Sequence, residues 1–131
     1  MTSISGPNFS PDFTERQCAD FGPQRLAYSA QINEATQTTP GVIFCGGFRS
    51  DMGGTKALAL ASWAAERKQN FVRFDYFGHG SSTGTFTDGT ISHWRGDIPH
   101  ILDTLTQGPQ ILVGSSFGGW LSILAALDRP E

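Results

Sequence analysis

The 131-residue sequence predicts an α/β protein, in which a mostly parallel sheet carries helices on both faces. Two observations support this prediction. Three short segments, at residues 42–45, 71–76 and 110–113, are predicted strands, and the first is continuously apolar, as is typical of a strand buried on both faces. Each predicted strand is followed by a segment in which apolar side chains recur with the period of a helix. Three strand-then-helix units in a row indicate parallel core strands.

The segment before residue 41 predicts the edge of that sheet. Residues 14–19 and 25–32 flank the Gly22-Pro23 turn signal, a pattern that favours a β-hairpin. Residues 1–12 are rich in serine, glycine and proline without periodicity, and we expect a loosely ordered lead-in there. Residues 33–40 are polar, which predicts a surface connection into the first core strand.

The first core strand is predicted to end at a glycine pair. Gly46 and Gly47 follow residues 42–45, and glycine at the carboxyl end of a parallel strand lets the backbone approach a ligand closely. A helix capped by Thr55 should follow. The apolar face of that helix is predicted to hold Ala57, Leu60, Ala61 and Ala64.

A glycine-rich loop, residues 78–84, follows the second core strand. The loop lacks the lysine of a Walker motif, and Thr83 occupies the place of the third glycine in a dinucleotide-binding fingerprint. We therefore do not expect nucleotide binding.

The second helix is predicted over residues 90–106. Its apolar face consists of Trp94, Ile98, Ile101, Leu102 and Leu105. Asp97 and Asp103 lie off this face. Pro99 conflicts with a helix interior, because proline removes a backbone hydrogen bond and clashes with the preceding turn. Either the helix begins near Gly96 and Asp97, or a separate short turn at residues 91–95 precedes it.

The third core strand runs into the motif G-x-S-x-G, formed by Gly114, Ser116 and Gly118. Between a strand and a helix, this motif indicates a turn so sharp that its serine takes a strained backbone conformation, which only small neighbours tolerate. The serine hydroxyl then projects from the carboxyl end of the strand. The N–H groups at the start of the next helix point to the place where an oxyanion would form. Ser116 is therefore the candidate nucleophile.

Together these features resemble the α/β-hydrolase superfamily from about residue 13 onward. They occur in that family's order: the strand ending at Gly46, a D-x-x-G-x-G-x-S match beginning at Asp75, an amphipathic helix, and the elbow at Ser116. Residues 47–52 and 113–120 are similar to a small esterase branch that includes a mitochondrial palmitoyl-protein thioesterase and an acyl-glucuronide esterase. The resemblance implies that residues 13–131 are the N-terminal part of an α/β-hydrolase domain. It also implies a serine hydrolase acting on carboxylic esters or acyl thioesters.

Carried onto this chain, the resemblance makes Ser116 the acylated nucleophile. The backbone N–H groups of Phe117 and Phe48 become the two donors of an oxyanion hole. Loss of one such donor typically costs about 10² to 10³ in rate. Asp75 and Ser82 are expected to shape the loop rather than to react.

The usual partners of the nucleophile do not follow it in this sequence. In this family the acid and the histidine come after the serine, but Asp128 lies on the same predicted helix as Ser116 and no histidine follows. His79, His93 and His100 all precede Ser116, and we expect loop capping by His79 and surface positions for the other two. An upstream histidine could still be the base, since convergent triads occur in other chain orders.

Two hypotheses about function follow. In the first, the chain is part of a serine esterase or thioesterase, truncated after the nucleophile helix and inactive alone. In the second, it is a non-catalytic ligand-binding or interaction module on the same scaffold. We favour the first, because backbone strain at a site is usually retained for chemistry.

The composition and the distribution of charge limit which partners and which cellular location we expect for this protein. Nine basic and twelve acidic side chains are scattered without a block, which argues against a nucleic-acid partner. No run is long enough to span a membrane, and the N-terminus lacks a secretory signal pattern, so we expect a cytoplasmic protein. The expected partner is a small acyl ester or thioester, with no cofactor and no metal. Cys45 lies in an apolar run, which predicts a buried thiol and no disulfide with Cys18.

Overall fold

A computed structural model describes residues 11–18, 21–33 and 39–131 of the chain. The strands are β1 (Asp12–Cys18), β2 (Gly22–Gln31), β3 (Gly41–Cys45), β4 (Phe71–Phe74) and β5 (Gln110–Gly114). The helices are α1 (Thr55–Arg67), α2 (Ile91–Leu105) and α3 (Phe117–Asp128), and a short 3-10 turn lies at Phe86–Asp88. Within these residues, no helix is both long and apolar enough to cross a bilayer.

The five strands form one sheet in the order β1-β2-β4-β3-β5. The three core strands β4, β3 and β5 are parallel, and β1 and β2 form an antiparallel hairpin at one edge. This arrangement confirms the predicted parallel core and edge hairpin. Strands β3 and β5 are neighbours, with Cys45 opposite Gly114. Their carboxyl ends therefore lie side by side, which brings the glycine pair after β3 next to the predicted elbow.

Alternating side chains of β3 divide the core into two layers. Val42 and Phe44 belong to a cluster with α1, whereas Ile43 and Cys45 belong to a cluster with α2 and α3. The buried residues of α1 are Ala57, Ala61 and Ala64. The other helices contribute larger side chains, namely Trp94, Ile98, Ile101, Leu121 and Ala125. Helices therefore cover both faces of the sheet, as predicted.

Pro99 lies inside one continuous helix, so both sequence-based alternatives for this region are wrong. Helix α2 begins after Thr90, whose hydroxyl accepts the His93 N–H at 3.2 Å, and it continues through Pro99 to Leu105. Buried side chains lie on both sides of the proline, with Trp94 before it and Ile101 after it. Burial of this apolar face offsets the single backbone hydrogen bond that proline removes.

Two further boundaries differ from the prediction. The cap position of α1 is occupied by Gly54, which has an extended backbone and offers no side-chain hydrogen bond. Thr55 is therefore the first residue of the helix rather than its cap. Strand β4 ends at Phe74 instead of residue 76, although the Asp75 N–H still donates to the Ala27 carbonyl at 2.9 Å.

Gly22 and Pro23, the predicted turn signal, lie in β2 opposite Cys18 and Gln17, because the strand pairing begins earlier than the sequence suggests. The predicted lead-in and the connection at 33–40 fall largely outside the described residues. The domain boundary at residue 13 stays a prediction.

Candidate active site

The turn between β5 and α3 has the geometry of a nucleophile elbow. Ser116 has φ 55° and ψ −118°, a left-handed backbone conformation that residues other than glycine rarely adopt. It is exposed and immediately precedes α3. The Ser115 N–H donates to the Cys45 carbonyl at 3.1 Å. This bond ties the elbow to the end of β3.

The two motif glycines are required by the closeness of neighbouring backbone. A Cβ atom on Gly118 would overlap the carbonyl oxygens of Cys45 and Gly46. A Cβ atom on Gly114 would overlap the first turn of α3, as the sequence predicts. Gly119, the next residue, has room for a side chain, because a Cβ atom there would lie 3.8 Å from its nearest neighbour, the Gly114 carbonyl oxygen. Close backbone packing therefore requires glycine at positions 114 and 118 of the elbow, but not at position 119.

The loop after β3, residues 46–54, is held by one charged side chain in the neighbouring strand β4 and one directly after it. The Asp75 carboxylate accepts the Met52 N–H at 2.7 Å, and the Arg73 guanidinium donates to the Met52 carbonyl. Arg73 and Asp75 are 0% and 2% exposed. The Tyr76 hydroxyl also donates to the Gly46 carbonyl at 3.1 Å. These contacts fix both ends of the loop that contains Phe48.

Burial and hydrogen bonds act in opposite directions on this pair of charges. Burial raises the pKa of the Asp75 carboxyl, and the N–H groups of Ser81 and Met52 partly oppose that shift. Burial lowers the pKa of the Arg73 guanidinium, whereas the charges of Asp75 and Asp51 raise it. Because guanidinium is effectively always protonated in proteins, Arg73 supplies a positive charge that compensates the buried carboxylate.

Asp75 and Ser82 bind backbone groups, in keeping with the loop-shaping role expected for them. The second oxygen of Asp75 accepts the Ser81 N–H at 2.9 Å. The Ser82 hydroxyl donates to the Asp75 carbonyl at 2.7 Å and accepts the Ala27 N–H at 2.8 Å. The D-x-x-G-x-G-x-S segment therefore connects β4 to β2 and to the loop after β3.

The side chains of Phe48 and Phe117 contact each other beside the elbow. Their ring centroids are 5.5 Å apart, and the Phe48 ring also lies 5.0 Å from Phe86 and 5.9 Å from Trp94. Phe48 remains 52% exposed. Phe117 is the first residue of α3, so its N–H is among those that have no acceptor within the helix. The structure thus brings together the two residues that the sequence analysis named as oxyanion donors.

His79 is the histidine of this aromatic cluster. It is 3% exposed, and its Nδ1 lies 2.9 Å from the carbonyl oxygen of Phe77, two residues earlier in the chain. This contact agrees with the predicted loop-capping role. Its Nε2 is buried without a hydrogen-bond partner among the described residues. The ring packs against Phe86 and Trp94, with centroids 5.1 and 5.4 Å away.

The other two histidines lie beneath the edge hairpin, so the prediction of surface positions for them is wrong. His93 Nε2 is 3.7 Å from Cys18 Sγ, and His100 Nε2 is 3.1 Å from the Thr14 hydroxyl. Both are partly buried because β1 packs against this side of α2. Asp128 forms an ion pair with Arg95 on α2, at 2.5 Å.

Sequence reasoning missed three charged residues. Asp97, expected off the buried face of α2, is 0% exposed and accepts the Phe77 N–H at 2.9 Å. Lys56 donates to the Ser115 hydroxyl at 3.1 Å. Arg73 had a usable signal, since it interrupts an otherwise apolar strand. For Asp97 and Lys56 the sequence contains no comparable signal, because their partners lie far away along the chain.

Comparison with known proteins places this geometry in a family. Residues 42–129 match the model of the alpha/beta hydrolase family. The mouse protein named palmitoyl-protein thioesterase ABHD10, mitochondrial, is 50% identical over 71% of this chain and 31% of its own length. The human protein of the same name is 50% identical over 71% of this chain and 30% of its own. The chain therefore spans less than a third of the length of these curated relatives.

Solved structures agree with the sequence matches. The structure of mouse alpha/beta hydrolase domain-containing protein 10 superposes with a TM-score of 0.80 at 42% identity, over 92% of this chain and 46% of its own. A putative hydrolase from Agrobacterium vitis S4 superposes with a TM-score of 0.84 at 38% identity, over the same shares. These matches confirm the predicted fold and the predicted small esterase branch.

The expectation of a cytoplasmic protein is wrong. The curated relatives at 48% to 50% identity are instead named as mitochondrial proteins. The expectation rested on the absence of an apolar secretory signal, whereas mitochondrial targeting uses amphipathic, arginine-rich segments that such a test does not detect. The family match, the close relatives and the elbow geometry agree with one another: the chain belongs to the alpha/beta hydrolase family.

Proposed function

We propose that this chain contains the nucleophile and the oxyanion donors of a serine hydrolase, which cleaves carboxylic esters or acyl thioesters through an acyl-enzyme on Ser116. The observation that supports this most strongly is the backbone of Ser116, at φ 55° and ψ −118° on an exposed turn. A serine in that conformation destabilises the fold, and such strain is usually retained only where the residue is needed for chemistry. The relatives named as thioesterases support the same reaction class.

In the proposed reaction, Ser116 Oγ attacks the acyl carbonyl carbon while a base takes the hydroxyl proton. The carbonyl oxygen becomes an oxyanion, which accepts hydrogen bonds from the N–H groups of Phe117 and Phe48. Collapse of this intermediate expels the alkoxide or thiolate and leaves an ester on Ser116. Water then attacks the ester in the same way and releases the acid.

The loop after β3 has a defined part in this mechanism. Met52 is bonded through both its N–H and its carbonyl, and Gly46 through its carbonyl, so Phe48 lies between two fixed points. Such preorganisation is what makes an oxyanion donor effective, because no rearrangement is needed as charge develops. The half-exposed Phe48 ring and the adjoining Phe117 ring offer an apolar surface, which suits an apolar acyl group.

We propose that the acid and the histidine lie in the part of the protein that corresponds to the remainder of its relatives. Asp128 is paired with Arg95. The described hydrogen bonds of the three histidine rings are with Phe77 and with strand β1. Serine needs an adjacent base to become a good nucleophile. Residues 1–131 alone should therefore hydrolyse p-nitrophenyl acetate no faster than their Ser116→Ala variant. Turnover that depends on Ser116 would instead show that an upstream histidine is the base.

The direct test is labelling with a fluorophosphonate, using the product of the complete reading frame. We expect label on Ser116, loss of label and of thioester hydrolysis in Ser116→Ala, and retention of both in Ser115→Ala. Ser115 is the matched control, because its hydroxyl binds Lys56 and lies one residue from the proposed nucleophile. Label on another residue, or hydrolysis at the parent's rate by Ser116→Ala, would favour the non-catalytic module instead.

A further inference from the structure

A thiol and an imidazole meet at the edge of the sheet farthest from Ser116. Cys18 is the last residue of β1, the outermost strand, whereas Ser116 follows β5 at the opposite edge. Cys18 Sγ lies 3.7 Å from His93 Nε2 on α2, within hydrogen-bonding distance for sulfur. Cys18 is partly exposed rather than buried. The pair shares no residue with the site proposed for ester hydrolysis.

The imidazole of His93 is held in place by aromatic neighbours. Its ring lies 4.1 Å from the Phe77 ring and 5.4 Å from the Phe21 ring, between centroids. Its backbone is fixed as well, since the carbonyl accepts from Arg16 at 3.0 Å. A nucleophile beside a base that is itself held in orientation is the arrangement that activates cysteines in enzymes.

One ion pair lies beside the thiol and the imidazole. Arg16 Nη1 lies 2.5 Å from the Asp97 carboxylate, so the cation of β1 is paired with the anion of α2. The described contacts of the Cys18 thiol include the His93 imidazole at 3.7 Å and the Arg16 carbonyl oxygen at 3.9 Å. An imidazole next to a cysteine favours the reactive thiolate form.

We propose that Cys18 and His93 form a second nucleophilic site, which takes soft carbon electrophiles of the α,β-unsaturated carbonyl class. His93 Nε2 accepts the thiol proton, and the sulfur lone pair forms a bond to the β-carbon of the electrophile. The electrons of the carbon–carbon double bond move to the α-carbon as an enolate, which then takes the proton back from the imidazolium. The adduct is a thioether, and His93 returns to its neutral form.

The chain contains a matched control for this chemistry in its other cysteine. Cys45 is fully buried in β3, and burial raises the pKa of its thiol to about 11. A buried thiol of that kind is inert toward electrophiles. Labelling of Cys45 therefore reports loss of the fold rather than reactivity.

The test uses N-ethylmaleimide near pH 6 and counts adducts on each cysteine peptide by mass spectrometry. Few ordinary thiols are ionised at that pH, so an activated Cys18 in the folded chain should react about tenfold faster than in the urea-denatured chain, after allowing for the weaker nucleophilicity of acidic thiolates. His93→Phe keeps the aromatic packing and should abolish this advantage. His100→Phe removes a histidine of the same helix that contacts Thr14, and it should leave the rate unchanged.

Two results would overturn the proposal. One is a Cys18 rate in the folded parent no greater than in the denatured chain. The other is a His93→Phe variant that keeps Cys45 protected and still labels Cys18 at the parent's rate. If His93→Phe exposes Cys45, the variant has lost its fold, and the comparison of folded with denatured parent decides. None of these readouts depends on Ser116, so they remain informative if the proposed hydrolase function fails.

Discussion

The two loops that meet at Ser116 are held in place by different means. The elbow after β5 is fixed by backbone contacts, since a side chain at Gly118 would collide with the carbonyls that end β3. The loop after β3 is fixed by two buried charged side chains, Arg73 and Asp75, which bind the backbone of Met52. The first device is local and appears as a motif in the sequence. The second joins residues more than twenty positions apart, and although Asp75 begins a recognisable motif, nothing in the sequence identifies Met52 as its partner.

The largest effect is expected from adding one methyl group at the elbow. Gly118→Ala should cost more than about 5 kcal/mol of unfolding free energy or prevent folding, because the new atom meets backbone that cannot move aside. Gly119→Ala is the control one residue away, where the new atom has ordinary contacts, and alanine favours the helix. Chemical denaturation of both variants measures the difference. Equal stabilities would show that the elbow is not fixed by close packing.

The charged clamp should be the next most sensitive feature. Asp75→Ala removes the acceptor of two backbone N–H groups and leaves the Arg73 charge buried without its carboxylate, at a cost of roughly 4 kcal/mol. The exposed Asp51 contributes only charge to Arg73, and Asp51→Asn should change stability little. Replacing the pair together, as Arg73→Met with Asp75→Leu, should cost less than the sum of the single changes. Additive losses would show that the two side chains act independently.

This contrast explains how much the sequence could predict. The parallel core strands, the edge hairpin and the elbow glycines follow from patterns within a few residues, namely apolar runs, a turn pair and G-x-S-x-G. The path of α2 through Pro99 did not follow, because burial of Trp94 and Ile101 decides it rather than local propensity. The partners of Arg73 and Asp97 could not be predicted either, since they depend on which loop lies over which strand.

A third loop, the one after β4, is also held by a buried charged side chain, that of Asp97. The contribution of this side chain to stability depends on pH. Its carboxylate accepts the Phe77 N–H, and burial raises its pKa from 3.8 to about 6, with the N–H bond and Arg16 opposing the shift. Between these two values the folded chain keeps a proton that the unfolded chain has released, so this group stabilises the fold at low pH and loses that effect as pH rises.

The asparagine variant isolates this contribution, since it resembles the protonated acid. Asp97→Asn should match the parent near pH 4 and exceed it by about 3 kcal/mol near neutral pH, measured by denaturant titration at each pH. Asp103→Asn, on the exposed side of the same helix, controls for general charge effects. A variant that loses stability relative to the parent as pH rises would mean that the Arg16 pair outweighs burial.

The central claim is that Ser116 holds a strained backbone conformation for the sake of its hydroxyl, and one substitution tests it directly. Glycine adopts φ 55° without steric cost, so Ser116→Gly should relieve the strain that serine bears. We predict that the free energy of unfolding of Ser116→Gly exceeds the parent's by about 1 kcal/mol, after the entropy cost of glycine in the unfolded chain. Ser115→Gly, at a residue without positive φ, should instead lower it. A Ser116→Gly variant less stable than the parent would contradict the account.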